Sequence, residues 1–320
     1  MIPTKIRWWF YRHTPIVRIA NYLKKITLPG FGGIPVFYVL GFFLKGIQEG
    51  YIPSRAASIA FSLFLALFPS LIFLFSLIPF IPIDNFQESI IIELVYIAPE
   101  AFNGFLETTI LDVVENKQAN VLSIGVIMAL YFATNGINAM LNAFNMTYFE
   151  LNMRSWLSQQ LISVWITLII TLFVIAAILM ILFGSAISQM VLDDFLGLNQ
   201  LEITLINIGR WVVSVAFVYF SIAIIYYYAP KKENEEDKRK FLSPGATLAT
   251  FFVIVFTMVF ALYLKNFNSY NKLYGSIGTV MGLMILIYLN CIAIIIGFEL
   301  NAAIKWTKRS SEILKFKLSI

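Results

Sequence analysis

Six stretches of the chain run for 18 or more residues without a charge, separated by short polar segments: 56–83, 118–149, 155–192, 211–230, 241–264 and 273–298. A helix rises 1.5 Å per residue, so each is long enough to cross a hydrocarbon core about 30 Å thick. Trimmed at turn-forming residues, the spans are expected at about 56–83, 119–149, 156–184, 211–230, 244–264 and 276–304. A seventh uncharged run, 26–44, contains Pro29, Pro35, Gly30, Gly32, Gly33 and Gly41, which break or weaken a helix. Its apolar helical part is confined to about 35–47, which predicts an interfacial or re-entrant helix instead of a span.

Composition agrees with this pattern. Of 320 residues 59% are hydrophobic and 13% charged, where a soluble domain carries roughly 25% charged residues. The expected fold class is an all-α membrane protein with six transmembrane helices. Cation placement orients it. Under that count, segments 1–55, 150–155, 231–240 and 299–320 hold 19 Lys/Arg on one side, and four remain on the other: Lys117, Arg210, Lys265 and Lys272. The positive-inside rule then puts both termini in the cytoplasm.

The first 48 residues contain no acid, and Trp8, Trp9, Phe10 and Tyr11 sit among cations, as suits N-terminal interfacial helices on an anionic leaflet. No secretory signal pattern opens the chain. The outer loop 84–117 carries seven acids against one lysine, with short amphipathic helices expected at 86–98 and 100–115 around Pro99. The chain thus divides into a basic segment 1–55, a six-helix domain 56–304 and a basic tail 305–320.

Polar residues inside the spans are the candidates for chemistry. Ser54, Ser58, Ser62, Ala66 and Ser70 recur every four residues, a small-residue ridge that suits close helix packing or a hydroxyl-lined path. Pro69 frees a backbone carbonyl in the same span and is a hinge candidate. Asn135, Asn138, Asn142 and Asn145 fall on one helical face, with Thr134 and Gly136 beside them. Four amides cannot face lipid cheaply, so they either bond a neighbouring helix or line a hydrated path. Glu299 ends the last uncharged run, placed to pair with a cation such as Arg55 or Lys305, or to carry a proton or substrate.

Between the last two spans lies Tyr270-Asn271-Lys272-Leu273-Tyr274-Gly275-Ser276-Ile277-Gly278. As a glycine-rich helix start flanked by Lys265 and Lys272, it is an expected anion or headgroup site using Tyr274, Gly275, Ser276 and Gly278, unless it is a plain turn. Gly275 and Gly278 are also hinge candidates. One cysteine, Cys291, and one histidine, His13, cannot build a metal centre, and no cofactor is expected. Nothing resembles a hydrolytic constellation or a P-loop, so the chain is read as a non-enzyme.

These residues also carry a resemblance. Arg55-Ala56-Ala57-Ser58-Ile59-Ala60-Phe61 through Leu67-Phe68-Pro69-Ser70 is similar to the AA-x-LA-[YF]…LFP stretch of the YihY/BrkB family of bacterial inner-membrane proteins. Asn135 to Asn145 followed by Glu150 and Arg154 resembles that family's asparagine helix with its E…R pair. Tyr228-Ala229-Pro230, Pro244-Gly245-Ala246, the 270–278 stretch and Gly297-Phe298-Glu299-Leu300-Asn301 follow in the family's order, with Phe298 where its GAELN pattern has alanine. The resemblance implies six spans in the inner membrane and a role in envelope maintenance, lipid or lipopolysaccharide transport being the activity usually proposed. The family has also carried the name ribonuclease BN, against which the residue inventory argues.

The reading that follows is a transporter or flippase of an amphiphile such as an anionic envelope lipid, with membrane lipids as partners. A scaffold docking envelope proteins through the acidic loop is the alternative, and a ribonuclease a third. The basic residues fit topology and lipid headgroups without nucleic acid.

Overall fold

The computed structural model describes residues 19, 21–77, 119–147, 154–187, 200–230, 241–265 and 268–318. Among these the chain forms seven helices of 14 residues or more: α1 (Val36–Glu49), α2 (Ile52–Leu77), α3 (Ala119–Asn145), α4 (Trp156–Ile187), α5 (Gln200–Tyr228), α6 (Pro244–Lys265) and α7 (Asn268–Leu318). An isolated antiparallel bridge pairs Thr27 with Pro35 and closes a loop in which Gly30, Gly32 and Gly33 all take positive φ. The N-terminal 1–18, the acidic loop 84–117 with its expected helices, and 231–240 lie outside the described residues.

Five helices are long and apolar enough to cross a membrane, over Ile52–Ser70, Trp156–Ala176, Ile208–Tyr228, Pro244–Tyr263 and Val280–Ser310. Helix α3, with 27 residues, has the length of a span but carries the asparagine stripe. Helix α1 has 14 residues, about 21 Å, and is too short to span.

Two boundaries differ from the expected ones. Helix α2 starts at Ile52, so Arg55 lies inside it and not before it; an uncharged-run count stops at a cation even where a buried partner offsets the charge. Helix α7 is continuous from Asn268 to Leu318, so the expected helix start at 274–278 lies within it. Isolated glycines cost a helix only about 1 kcal/mol each. Only a helix's first four N–H groups lack an intrahelical carbonyl, and Gly275 and Gly278 come after them. The open-amide basis of the expected anion turn is therefore absent. The side chains of Lys265, Lys272, Tyr274 and Ser276 are outside those described.

The helices pack as a ring. Helix α2 lies against α3, the broadest contact; α3–α4, α4–α5, α5–α6 and α6–α7 follow, and α7 returns to α2. Helix α1 sits outside the ring on α7, where Phe31, Ile34 and Val39 bury Ala303 with Leu300 and Ile304 alongside. At one end, here the basal end, α2, α4 and α6 begin and α3 and α5 stop. Its centre is filled by Ile59, Leu141, Phe144, Ile225, Tyr226, Ile295 and Phe298. Phe298 stacks on Phe144 at 4.2 Å between ring centroids, and Tyr226 meets both rings edge-on. The basal centre is apolar and well filled.

Candidate functional site

The basal end holds a charged pair inside this apolar surround. Arg55 Nη1 donates to Glu299 Oε1 at 2.6 Å, with the side chains 5% and 0% exposed. The same Nη1 donates to Gly50 O at 2.9 Å, tying the α1–α2 link to the pair. Thr147, at the foot of α3, accepts from Arg55 Nη2 at 3.3 Å and donates to Glu299 Oε1 at 3.1 Å. One charge pair thus joins α2, α3 and α7. Glu299 Oε2 and Arg55 Nε are buried without a hydrogen-bond partner among the described residues. Of the two cations offered to Glu299 by the sequence, Arg55 is the one bonded to it.

Each residue from Gly297 to Asn301 does a different job because each is turned about 100° from the last. Gly297 and Asn301, four apart, share the face toward α6. A Cβ on Gly297 would stand 2.4 Å from Gly245 O, and one on Gly245 2.1 Å from Gly297 O, so only glycines allow this approach. Asn301 Oδ1 accepts from Gly245 N at 2.9 Å, and its Nδ2 donates to Ser243 Oγ at 2.9 Å. Ser243 Oγ also accepts from Ala246 N at 3.2 Å. The Ser-Pro-Gly start of α6 is thus capped by its own serine and by a neighbour's amide. Phe298 faces the aromatic centre, Glu299 faces α2, and Leu300 faces α1.

The other motif residues gather at the same end. Arg154 Nη2 donates to Pro230 O at 2.7 Å, joining the start of α4 to the Tyr-Ala-Pro that ends α5. Tyr226 OH donates to Ile294 O. Glu150 lies outside the described residues. A Cβ on Gly30 would meet Pro244 Cγ at 2.6 Å, so the glycine loop packs on the start of α6.

The asparagine stripe faces α4 and the surface beside it. Gln159 Nε2 donates to Asn138 Oδ1 at 2.5 Å and to Asn142 Oδ1 at 2.6 Å. Asn142 is exposed, while Asn135, Asn138, Asn145 and Gln159 are half-buried. On α4 the stripe continues with Ser163 and Thr167, both buried, whose hydroxyls donate to the carbonyls four residues back. The result is a polar seam between α3 and α4. Gln159 was the residue the sequence reading missed; the signal was the period of four in Gln159, Ser163, Thr167 and Thr171.

The serine ridge is turned away from the tightest contacts. Ser54 and Ser58 are exposed, and Ser62 and Ser70 bond back to Ser58 O and Ala66 O. Of the ridge only Ala66 is buried; the rest of the buried face of α2 is Ile52, Arg55, Ala56, Ile59 and Ala60. Pro69 lies inside the continuous helix α2. Among the described residues no group of three or more His, Cys, Asp or Glu could hold a metal ion, and the described basal site brings together the Arg55–Glu299 pair, the Arg154 guanidinium and neutral polar groups.

Comparison with known proteins gives this arrangement relatives. The family model described as "Virulence factor BrkB" matches residues 43–316. A ribonuclease-like protein, YfkH, of Bacillus subtilis (strain 168) is 32% identical over 271 residues, 83% of this chain and 96% of that protein. A UPF0761 membrane protein of Haemophilus influenzae (strain 86-028NP) is 23% identical over 264 residues, 82% of this chain and 93% of its own length. No solved structure matches.

Proposed function

The chain belongs to the BrkB family of multi-pass membrane proteins, and from that premise we propose that it moves an amphiphile, such as an anionic envelope lipid, across or within the inner membrane. In this reading six spans (the five apolar helices and α3) cross the bilayer. The basal end faces the cytoplasm, with both termini inside, a reading that the cation asymmetry of 19 to 4 supports.

The observation that carries the proposal is the α3–α4 seam. Amides and hydroxyls lie side by side in an otherwise greasy wall, and part of them is exposed. Polar groups at membrane depth are costly unless they meet protein or a polar ligand. The basal centre is apolar and filled, which favours a path along the seam over a central pore. The Arg55–Glu299 pair joins three helices beside it and is the natural latch between two states of the ring.

The test is a proteoliposome flux assay with a panel of labelled lipids and small solutes, with and without a proton gradient. We expect lipid movement above protein-free vesicles, reduced severalfold by Asn138→Leu with Asn142→Leu in a folded protein. Unchanged flux in that variant makes the seam purely structural. The name of the Bacillus subtilis relative invites a parallel assay for RNA cleavage, for which the described residues offer no group of three or more His, Cys, Asp or Glu to hold a metal ion. We expect none.

A further inference from the structure

In the Asn138–Gln159–Asn142 triangle both hydrogen bonds run the same way, from the glutamine to the asparagines. Gln159 Nε2 gives one hydrogen to each asparagine Oδ1. Both asparagine oxygens therefore point at Gln159, and both –NH2 groups point away from it, carrying up to four N–H donors between them. No other hydrogen bond to these two side chains forms among the described residues. Asn142 is exposed and Asn138 half-buried, so the Asn142 donors reach the surface of the bundle and those of Asn138 lie just inside it.

Their depth is equally specific. Gln159 lies three residues into the apolar window Trp156–Ala176, about 4.5 Å along the helix. Trp156, 75% exposed at the first position, is where an interfacial tryptophan belongs. Deeper along the seam, Ser163 and Thr167 direct their protons to their own helix. The outward donors are thus concentrated at headgroup level, where a polar lipid headgroup can reach them.

We propose that this triangle is a headgroup site for a phosphodiester lipid, the two asparagine –NH2 groups donating to non-bridging phosphate oxygens while Gln159 holds them in register. The inference rests on the transport reading for its role, since it would be where cargo enters the seam, but its binding test is separate.

The test uses the purified full-length protein in detergent, titrated with phosphatidylglycerol, with diacylglycerol of the same chains, and with soluble glycerol phosphate. Retention is read by native mass spectrometry. The wild type should hold phosphatidylglycerol at least about tenfold more tightly than diacylglycerol, with glycerol phosphate a poor competitor. Asn138→Asp with Asn142→Asp keeps an oxygen for Gln159 and replaces each donor by an acceptor. It should lose about tenfold per donor group while still unfolding cooperatively. Should the double variant fail to fold, Asn142→Asp at the exposed position alone is expected to lose about tenfold. A folded variant that keeps the full preference overturns the site, and equal competition by glycerol phosphate overturns its assignment to a lipid. A wild type with the preference but no flux sinks the transport reading alone; flux without the preference sinks the site alone.

Discussion

Arg55 and Glu299 stand 244 positions apart in the chain and 2.6 Å apart in the fold. A buried pair of this kind is held together less by its attraction than by the cost of leaving either member alone. Glu299→Leu or Arg55→Leu alone should destabilise the protein by about 3–5 kcal/mol. Arg55→Leu combined with Glu299→Leu should recover much of that loss. Thermal unfolding in detergent across the double-mutant cycle measures it, and simple additivity would contradict the pairing.

Glycines at two helix contacts should respond unequally. Gly245→Ala drives a methyl against the carbonyl of Gly297, 2.1 Å away, and neither backbone can yield without parting α6 from α7. We expect a loss of about 3 kcal/mol. Gly136→Ala meets the end of the Leu63 side chain at 2.6 Å, which can rotate. Its cost should stay under about 1 kcal/mol, offset in part by better helix propensity. Comparing the two unfolding temperatures decides the point.

Gln159→Leu removes the donor that joins Asn138 and Asn142 to α4. Interhelical hydrogen bonds in membranes contribute about 0.6–1.7 kcal/mol each, so the variant should lose about 1–3 kcal/mol in total. Hydrogen exchange should rise at the start of α4 and leave the α6–α7 contact unchanged.

Asn301→Ala strips the start of α6 of its borrowed cap. A loss of about 1 kcal/mol is expected, typical of an N-cap, with faster amide exchange confined to the first turn after Pro244. Asn301→Asp keeps the acceptor for Gly245 N and should lose less.

Phe298→Ala opens the aromatic centre, where Phe298 stacks on Phe144. The expected cost is about 3–5 kcal/mol. Enlarging a neighbour should restore part of it, because the pattern this segment resembles has alanine here.

The five apolar helices were legible because lipid demands long uncharged runs, and a further such run, 26–44, is marked off by its prolines and glycines. Orientation of the faces was only half legible. Four-residue spacing groups Ser54, Ser58 and Ser62 correctly on one face, but spacing alone does not say which face turns inward. Ala56 and Ala60, on the buried side, obey the same spacing. The asparagine face was equally visible, whereas its partner was not, since Gln159 comes from a helix whose rotation only packing fixes. Arg55 could be offered to Glu299 in advance only alongside Lys305, because buried charges are scarce enough to seek each other but spacing does not choose between two cations. The glycine turn at 275–278 misled for a local reason: glycines mark helix starts and also close contacts, and the continuous helix α7 decides against the first.

Helix α7 runs 51 residues, about 77 Å, well beyond the roughly 30 Å of a hydrocarbon core. At one level along this rod, Gly297 and Asn301 engage α6, Glu299 engages α2, and Leu300 faces α1. A twist of α7 by a single residue would misalign all of these joints together. The basal end is therefore keyed like an axle, its joints together fixing one rotation of α7.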